Sequence, residues 1–183
     1  VLHCPYTADK ARIVVQEMID GISLELVEKR LVTDQLVLTV GYDIENLTRP
    51  EIRKVYKGPV TTDRYGRRVP KHAHGTWNLP RATSSSSELL EAMAALYDKI
   101  VNPALLIRRM SLSACHVVNE KMAKEREQKE TFEQLDLFTD YAKKEAKEKE
   151  EQKKRERERR MQEALLTIKK KYGKNAVLRG EAV

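Results

Sequence analysis

The chain has 183 residues, 40% of them hydrophobic, which suits one modest core with an appendage rather than two cores. No apolar run approaches membrane-spanning length, and Cys4 and Cys115 are far apart without the spacing of a metal site or a disulfide framework. We therefore expect a cytoplasmic protein with no membrane partner. The chain lacks an initiating Met and begins as if within a strand, so we expect the C-terminal part of a longer protein.

The first three predicted elements are a strand, a helix and a strand. Residues 1–6 contain the Leu, Val and Tyr of a short strand, and Thr7 is a good residue to cap a following helix. Apolar residues recur at spacings of three, four and seven over 8–30, which predicts a helix. Strict alternation over 35–42 then predicts a strand that is buried on one face.

A basic, irregular stretch follows over 46–74. Residues 49–81 hold nine Lys and Arg against two acidic residues, with turn residues such as Asp63-Arg64-Tyr65-Gly66. This predicts a long excursion from the sheet that includes a small hairpin. Clustered Lys and Arg suit contacts to nucleic-acid phosphates, and the alternative is a loop that its charges merely keep solvated.

Three more elements complete the predicted domain: a strand over 75–79, a helix over 84–101 and a strand over 105–118. Ser85 and Glu88 have the spacing of a capping box at the start of that helix. The order strand, helix, strand, strand, helix, strand predicts an α+β fold for residues 1–118. We expect a β-α-β-β-α-β two-layer sandwich, with a four-stranded, largely antiparallel sheet and both helices on one face.

The other face of this sheet is then predicted to be bare. Its residues are small, hydroxylated or basic: Val37, Thr39, Thr76, Asn78, Arg109, Ser111 and Ser113. Such a lining lets a phosphate backbone approach closely and favours a nucleic-acid face, while an ordinary solvent-exposed sheet face is the alternative.

Catalytic and metal-binding patterns are weak. Asp43 and Glu45 form the only close acidic pair beside an ordered element, and we interpret them as turn residues, with a small metal-dependent nuclease as a remote alternative. The two histidines of His72-x-His74, even with the cysteines, match no known zinc spacing. We predict no catalytic residue, metal, cofactor or small-molecule ligand in this chain.

The tail, residues 119–183, is highly charged and predicted to be mostly helical or disordered. It contains one apolar island, Gln134-Leu135-Asp136-Leu137-Phe138, in a segment too hydrophilic to bury itself. We interpret this pentapeptide, 134–138, as a docking peptide for a pocket on a partner, with a turn of helix that folds back on the domain as the alternative.

Two helical segments are predicted beyond the island. Residues 141–160 have no apolar stripe and predict a solvated helix stabilised by ion pairs between residues i and i+4. An amphipathic helix over 156–172 carries the stripe Met161, Leu165, Ile168 and Tyr172, with Gly173 as its C-cap. Composition does not say whether that helix packs on the same protein or on a partner.

Five segments together resemble one family: VLHCPYTADKARIVVQEM, QLVLTVGYD, DRYGRRVPKHAHGT, IRRMSLS and QLDLF. They are similar to the C-terminal portion of a bacterial Y-family translesion DNA polymerase of the UmuC/DinB type, and the resemblance covers nearly the whole chain. It implies that residues 1–118 are the little finger domain, which lays its sheet along DNA. It also implies that the pentapeptide in the tail binds the ring-shaped sliding clamp.

The resemblance implies a role in DNA damage tolerance and repair, with primer-template or damaged DNA and the sliding clamp as partners. The expected DNA contacts, including two arginines that would hold the backbone, are Arg108, Arg109, Ser111, Ser113, Thr39, Thr76, Asn78, Arg67, Arg68 and Lys71; the expected clamp contacts are Gln134, Leu135, Asp136, Leu137 and Phe138. The catalytic palm with its Mg²⁺ is missing, so we expect this chain alone to be inactive. A non-catalytic regulatory protein that binds clamp and DNA is the second hypothesis.

Overall fold

A computed structural model describes residues 1–134, 141–178 and 180. The helices are α1 (Ala8–Lys29), α2 (Glu45–Thr48), α3 (Pro50–Val55), α4 (Ser86–Ile100), α5 (Glu120–Gln134) and α6 (Tyr141–Tyr172). The strands are β1 (Leu31–Tyr42), β2 (Val60–Thr62), β3 (Arg68–Pro70), β4 (Ala73–Thr83), β5 (Ile107–Cys115) and β6 (Val118–Asn119). The fold is α+β, with a four-stranded antiparallel sheet and a helical C-terminal part. No helix in the described ranges combines the length and apolar character that crossing a bilayer requires.

Strand β1 is the centre of the sheet. It pairs with β4 on one side and with β5 on the other, and its first residues pair with the short β6. The prediction of a strand over 1–6 is wrong: a single bridge joins Tyr6 to Ile107, and the N–H of Leu2 donates to the carbonyl of Arg108. The fourth strand is instead β6, which is separated from β5 by His116, a residue with a left-handed backbone conformation.

Helices α1 and α4 form a second layer on one face of the sheet. Both begin at hydroxyl caps, since Thr7 accepts from the N–H of Lys10 and Ser85 from that of Glu88. Their apolar stripes and alternate residues of β1 share one core cluster, whose largest fully buried members include Val15, Ile19, Leu36, Leu38, Val40, Leu89, Met93 and Leu96. The predicted stripe of α4 and the predicted buried face of β1 are therefore confirmed. The stripe of α1 is confirmed in part, since Ile19 lies in the core in place of Val14 and Met18.

A glycine in β4 allows α4 to lie close to the sheet. Gly75 is opposite Leu38, and a Cβ atom built on Gly75 would come within 2.7 Å of Ile100 and 2.9 Å of Leu96. Real Cβ atoms do not approach other atoms so closely. The absence of a side chain at this position therefore sets the separation between helix and sheet.

The long excursion between β1 and β4 contains the predicted hairpin, formed by β2 and β3. Asp63 closes its turn by accepting from the N–H groups of Tyr65 and Arg67, and Gly66 adopts φ 77°. Two short helices, α2 and α3, precede the hairpin and were not predicted. The second of them begins at Pro50, which is favourable in a first helical turn.

The C-terminal part is a pair of helices, of which α6 returns to the domain. Residues 141–172 form one continuous helix rather than the two predicted segments, and Gly173 ends it with φ 103° as expected. Helix α6 packs against α1 and against the start of α4. Its contact face is polar: Gln162 is only 2% exposed and donates to the hydroxyl of Ser23 and the carbonyl of Ser84.

Candidate nucleic-acid interface

The face of the sheet opposite the helices brings together all seven residues that alternation predicted for it. Across the three long strands, Val37 is opposite Thr76 and Ser113, and Thr39 is opposite His74 and Ser111. One step along each edge lie Asn78, which faces Gln35, and Arg109, which faces Gly41. We call this surface the open face and define it by Gln35, Val37, Thr39, Gly41, His74, Thr76, Asn78, Arg109, Ser111, Ser113 and Cys115.

The open face is polar, exposed and free of carboxylates. Every second residue is exposed on this side from His74 to Pro80 in β4 and from Arg109 to Ser113 in β5, while the intervening ones are partly buried. None of the residues that define the open face is Asp or Glu. Its cationic side chain, Arg109, has no ion-pair partner in the part of the chain that the structure describes.

Two cross-strand hydrogen bonds organise the polar groups of the open face. The amide of Gln35 donates to Asn78 over 2.8 Å, and the hydroxyl of Thr39 lies 2.8 Å from Nδ1 of His74. Gln35 and His74 were missed by the sequence reasoning as members of this face. The alternation that found Val37 and Thr76 includes them, because residues two apart on a strand point to the same side.

The two arginines at the start of β5 differ in their surroundings. Tyr42 pairs with Ile107 and Gly41 with Arg109, so Arg108 is the extra residue of a β-bulge. Its guanidinium lies 3.9 Å from the carboxylate of Asp43, whereas Arg109 projects from the open face. The structure therefore presents Arg109 as the freer cation and places Arg108 beside an acidic neighbour.

The predicted basic contacts of the excursion lie on and beside the β2–β3 hairpin. Arg67 forms an ion pair of 2.9 Å with Asp63, and its guanidinium lies over the ring of Tyr65. The pKa of Asp63 is below its ordinary value, chiefly because the N–H of Arg67 donates to the carboxylate. Arg68 and Lys71 are exposed, and within the described ranges neither has an acidic partner. The chain runs from the hairpin directly into β4.

Of the acidic pair at the end of β1, which we interpreted as turn residues, Asp43 lies between β1 and α2, whereas Glu45 is the first residue of α2. One carboxylate oxygen of Asp43 accepts from the N–H of Glu45 over 2.8 Å, and Glu45 forms an ion pair with Arg49. Among the described residues, no group of three or more His, Cys, Asp or Glu is arranged to hold a metal ion. The remote nuclease alternative therefore has no support in this geometry.

The predicted clamp-binding peptide falls on the boundary of the described residues. Gln134 is the last residue of α5, and Leu135, Asp136, Leu137 and Phe138 lie outside the described ranges. The peptide connects α5 to α6 in the sequence. Its assignment consequently depends on the sequence alone.

Comparison with known proteins identifies no family for this chain. No protein-family model matches the chain, and a search of curated proteins found no match. The open face, the basic hairpin and the sequence of the tail are therefore the observations from which a function is argued.

Proposed function

We propose that this chain is the DNA-gripping and clamp-tethering portion of a translesion DNA polymerase, with a little finger domain followed by a clamp-binding tail. The observation that carries the proposal is the open face: exposed hydroxyls, amides and Arg109 on one side of a sheet, with no carboxylate among them. A polyanion is not repelled there, and hydroxyl and guanidinium groups donate hydrogen bonds to phosphate oxygens.

The spacing along β5 suits a backbone contact. Arg109, Ser111 and Ser113 occupy alternate positions, so neighbours are about 7 Å apart and the three span about 13 Å. That length is close to the axial rise of about four base pairs of duplex DNA. Such contacts position DNA without reading its bases, which lets a polymerase hold a template whose base is damaged.

The backing helices make the open face a rigid platform. Alternate β1 residues are completely buried against α1 and α4, and this fixes the height and register of the exposed row between them. The basic hairpin enters β4 directly and adds Arg68 and Lys71 as further cations. Together they provide the charge that binding a phosphate backbone requires.

The tail supports tethering through its sequence. Helix α5 is exposed along its described side chains, apart from Glu120 and Ala123, and it leads directly into the apolar island at 134–138. An apolar peptide in such a setting gains buried area by filling a pocket on another protein. Binding to a clamp already on DNA raises the effective concentration of the chain at the primer end. Catalysis, with its Mg²⁺, belongs to the palm of the intact polymerase.

The proposal is tested by the salt dependence of DNA binding. The affinity of the full chain for a fluorescent primer-template is measured by anisotropy across a range of salt concentrations. Arg109→Ala is expected to weaken binding and to reduce the slope of log K against log salt by about 1, because one fewer phosphate is neutralised. Arg108→Ala is expected to have a smaller effect, since Asp43 already lies near its guanidinium.

The matched control is Arg12→Ala. Arg12 is on α1 in the helix layer and forms an ion pair with Asp98. This change also removes one positive charge, but far from the open face. If Arg12→Ala lowered the slope as much as Arg109→Ala does, or if Arg109→Ala left it unchanged, the open face would not be the DNA-binding surface.

A further inference from the structure

Helix α6 binds the domain mainly through polar side chains and leaves three of the four residues of its apolar stripe exposed. The contact face holds Gln162 and two charged residues. The carboxylate of Glu158 accepts from the N–H of Ser87 over 2.7 Å, and the guanidinium of Arg159 donates to the hydroxyl of Ser84 over 3.1 Å. The stripe lies about a quarter turn away around the helix. Met161 is 60% exposed, Ile168 38% and Tyr172 68%, and Leu165 is half-buried.

The stripe has the spacing of a coiled-coil seam. Its members, Met161, Leu165, Ile168 and Tyr172, follow one another at intervals of four, three and four residues, which is the d-a-d-a pattern of two heptads. A seam of this kind packs against a similar seam on another helix. The surface is therefore shaped for a helical partner rather than for an extended peptide.

The charges beside the seam are basic. Lys169 and Lys171 occupy the flanking e and g positions of the second heptad, and Arg157 and Arg160 lie just before the seam. None of these four has an ion-pair partner in the part of the chain that the structure describes. The e flank lies on the side of the domain, since Gln162 at the first e position is buried and Lys169 is half-buried. Lys170 forms an ion pair of 2.6 Å with Glu28.

A second copy of this chain does not complement this surface. Two seams brought together would place basic flanks against basic flanks, which destabilises a coiled coil. The acidic residues of α6 lie mainly earlier in the helix, where Lys154 and Glu158 occupy the seam positions and no apolar seam exists. The charge pattern therefore favours a different partner.

We propose that the α6 seam binds an amphipathic helix of another protein, with an apolar stripe of about three turns and acidic residues on the flank that meets Arg157 and Lys171. This surface belongs to the helix layer and not to the open face, so the inference does not depend on the proposed function. A partner bound there leaves the open face accessible.

The test uses the full chain and a fluorescent synthetic peptide of three heptads with Leu at a and d and Glu at e and g. Two matched peptides replace Leu by Ser or Glu by Lys. Saturable binding is expected for the first peptide alone. Met161→Ser with Ile168→Ser is expected to weaken it at least tenfold, and Lys171→Glu, which leaves the seam intact, at least threefold.

The control variant is Val55→Ser, which changes another exposed apolar side chain, 70% accessible on α3, and is expected to leave binding unchanged. Circular dichroism verifies that each variant keeps its helix content. No binding, equal binding of the Leu-to-Ser peptide, or no effect of Lys171→Glu would overturn the proposal. Two further measurements use the variant with Met161→Ser and Ile168→Ser: self-association by sedimentation, and binding to phosphatidylglycerol vesicles. Loss of either one while peptide binding persisted would also overturn the proposal.

Discussion

Gln162 shows how one polar residue attaches a charged helix to the domain. Its amide donates over 2.6 Å to the hydroxyl of Ser23 and over 2.9 Å to the carbonyl of Ser84, and it is almost completely buried. The hydroxyl of Ser23 already donates to the carbonyl of Ser84, so the amide of Gln162 adds a second donor to this carbonyl and ties α6 to the domain. Sequence reasoning missed this contact because a Gln among charged residues has no pattern that marks it as buried.

We predict that Gln162→Ala loosens α6. The loss of the amide leaves the carbonyl of Ser84 with only the hydroxyl of Ser23 as donor, and the expected cost is about 0.5–1.5 kcal/mol in the docking of the helix. Hydrogen exchange of α6 amides between 155 and 170 measures it. Gln152→Ala, an exposed residue of the same helix, is the control and is expected to change little. Equal acceleration in both variants would contradict the account.

Glu88 connects the sheet, α4 and α6 through charge. Its carboxylate pairs with Arg81 over 2.5 Å and lies 3.7 Å from Arg155. Burial raises the pKa of this carboxyl. The pKa nevertheless lies below its ordinary value, because the hydroxyl of Thr83, the hydrogen bond and charge of Arg81 and the charge of Arg155 together outweigh burial.

A lowered pKa sets the sign of a pH effect. Because the folded-state pKa of Glu88 lies below that of the unfolded chain, its stabilisation is complete above about pH 4.5 and is lost as pH falls through the folded value. We predict that Glu88→Gln lowers the urea midpoint at pH 6 but much less at pH 3. Glu91→Gln, an exposed residue of the same helix, is the comparison. An equal loss at both pH values for Glu88→Gln would exclude the ionic contribution.

At the scale of elements, the predictions that held are those with a periodic pattern of apolar residues. Helix α4 has an apolar stripe and a hydroxyl cap at Ser85, and β1 alternates between buried and partly exposed residues over 35–42. The failed strand over 1–6 had favourable residue types only. A strand also needs a neighbour along its length, and here the backbone reaches β5 only at Leu2 and Tyr6.

Replacing either of two glycines by alanine is expected to change the stability of the protein in opposite directions. Gly75→Ala is expected to destabilise the protein by about 1–3 kcal/mol, because the new Cβ meets Leu96 and Ile100 and pushes α4 from the sheet. Gly21→Ala is expected to stabilise it by about 0.5–1 kcal/mol, because Gly21 lies within α1 with no atom within 4 Å of a built Cβ. Thermal unfolding compares them, and a loss from Gly21→Ala would contradict the described helix packing.

At the scale of the whole molecule, α5 and α6 form two arms that flank the apolar island. They face each other across a crevice of about 380 Å³, and Arg159 joins them through an ion pair with Glu120. The 15 residues of α5 measure about 22 Å in length. The return of α6 was not predictable from hydrophobic periodicity, because its contact with the domain is centred on Gln162 and three of the four residues of its apolar stripe are exposed.

The proposed function assigns two partners to two separate parts of the chain, DNA to the open face and the sliding clamp to the peptide at 134–138. A single surface-capture experiment tests it, with the full chain passed over immobilised clamp and over immobilised primer-template. Leu137→Ala with Phe138→Ala is expected to abolish clamp binding and to leave DNA affinity nearly unchanged, while Arg109→Glu is expected to do the reverse. Loss of both activities in either variant, or no binding of the unaltered chain to either partner, would contradict the account.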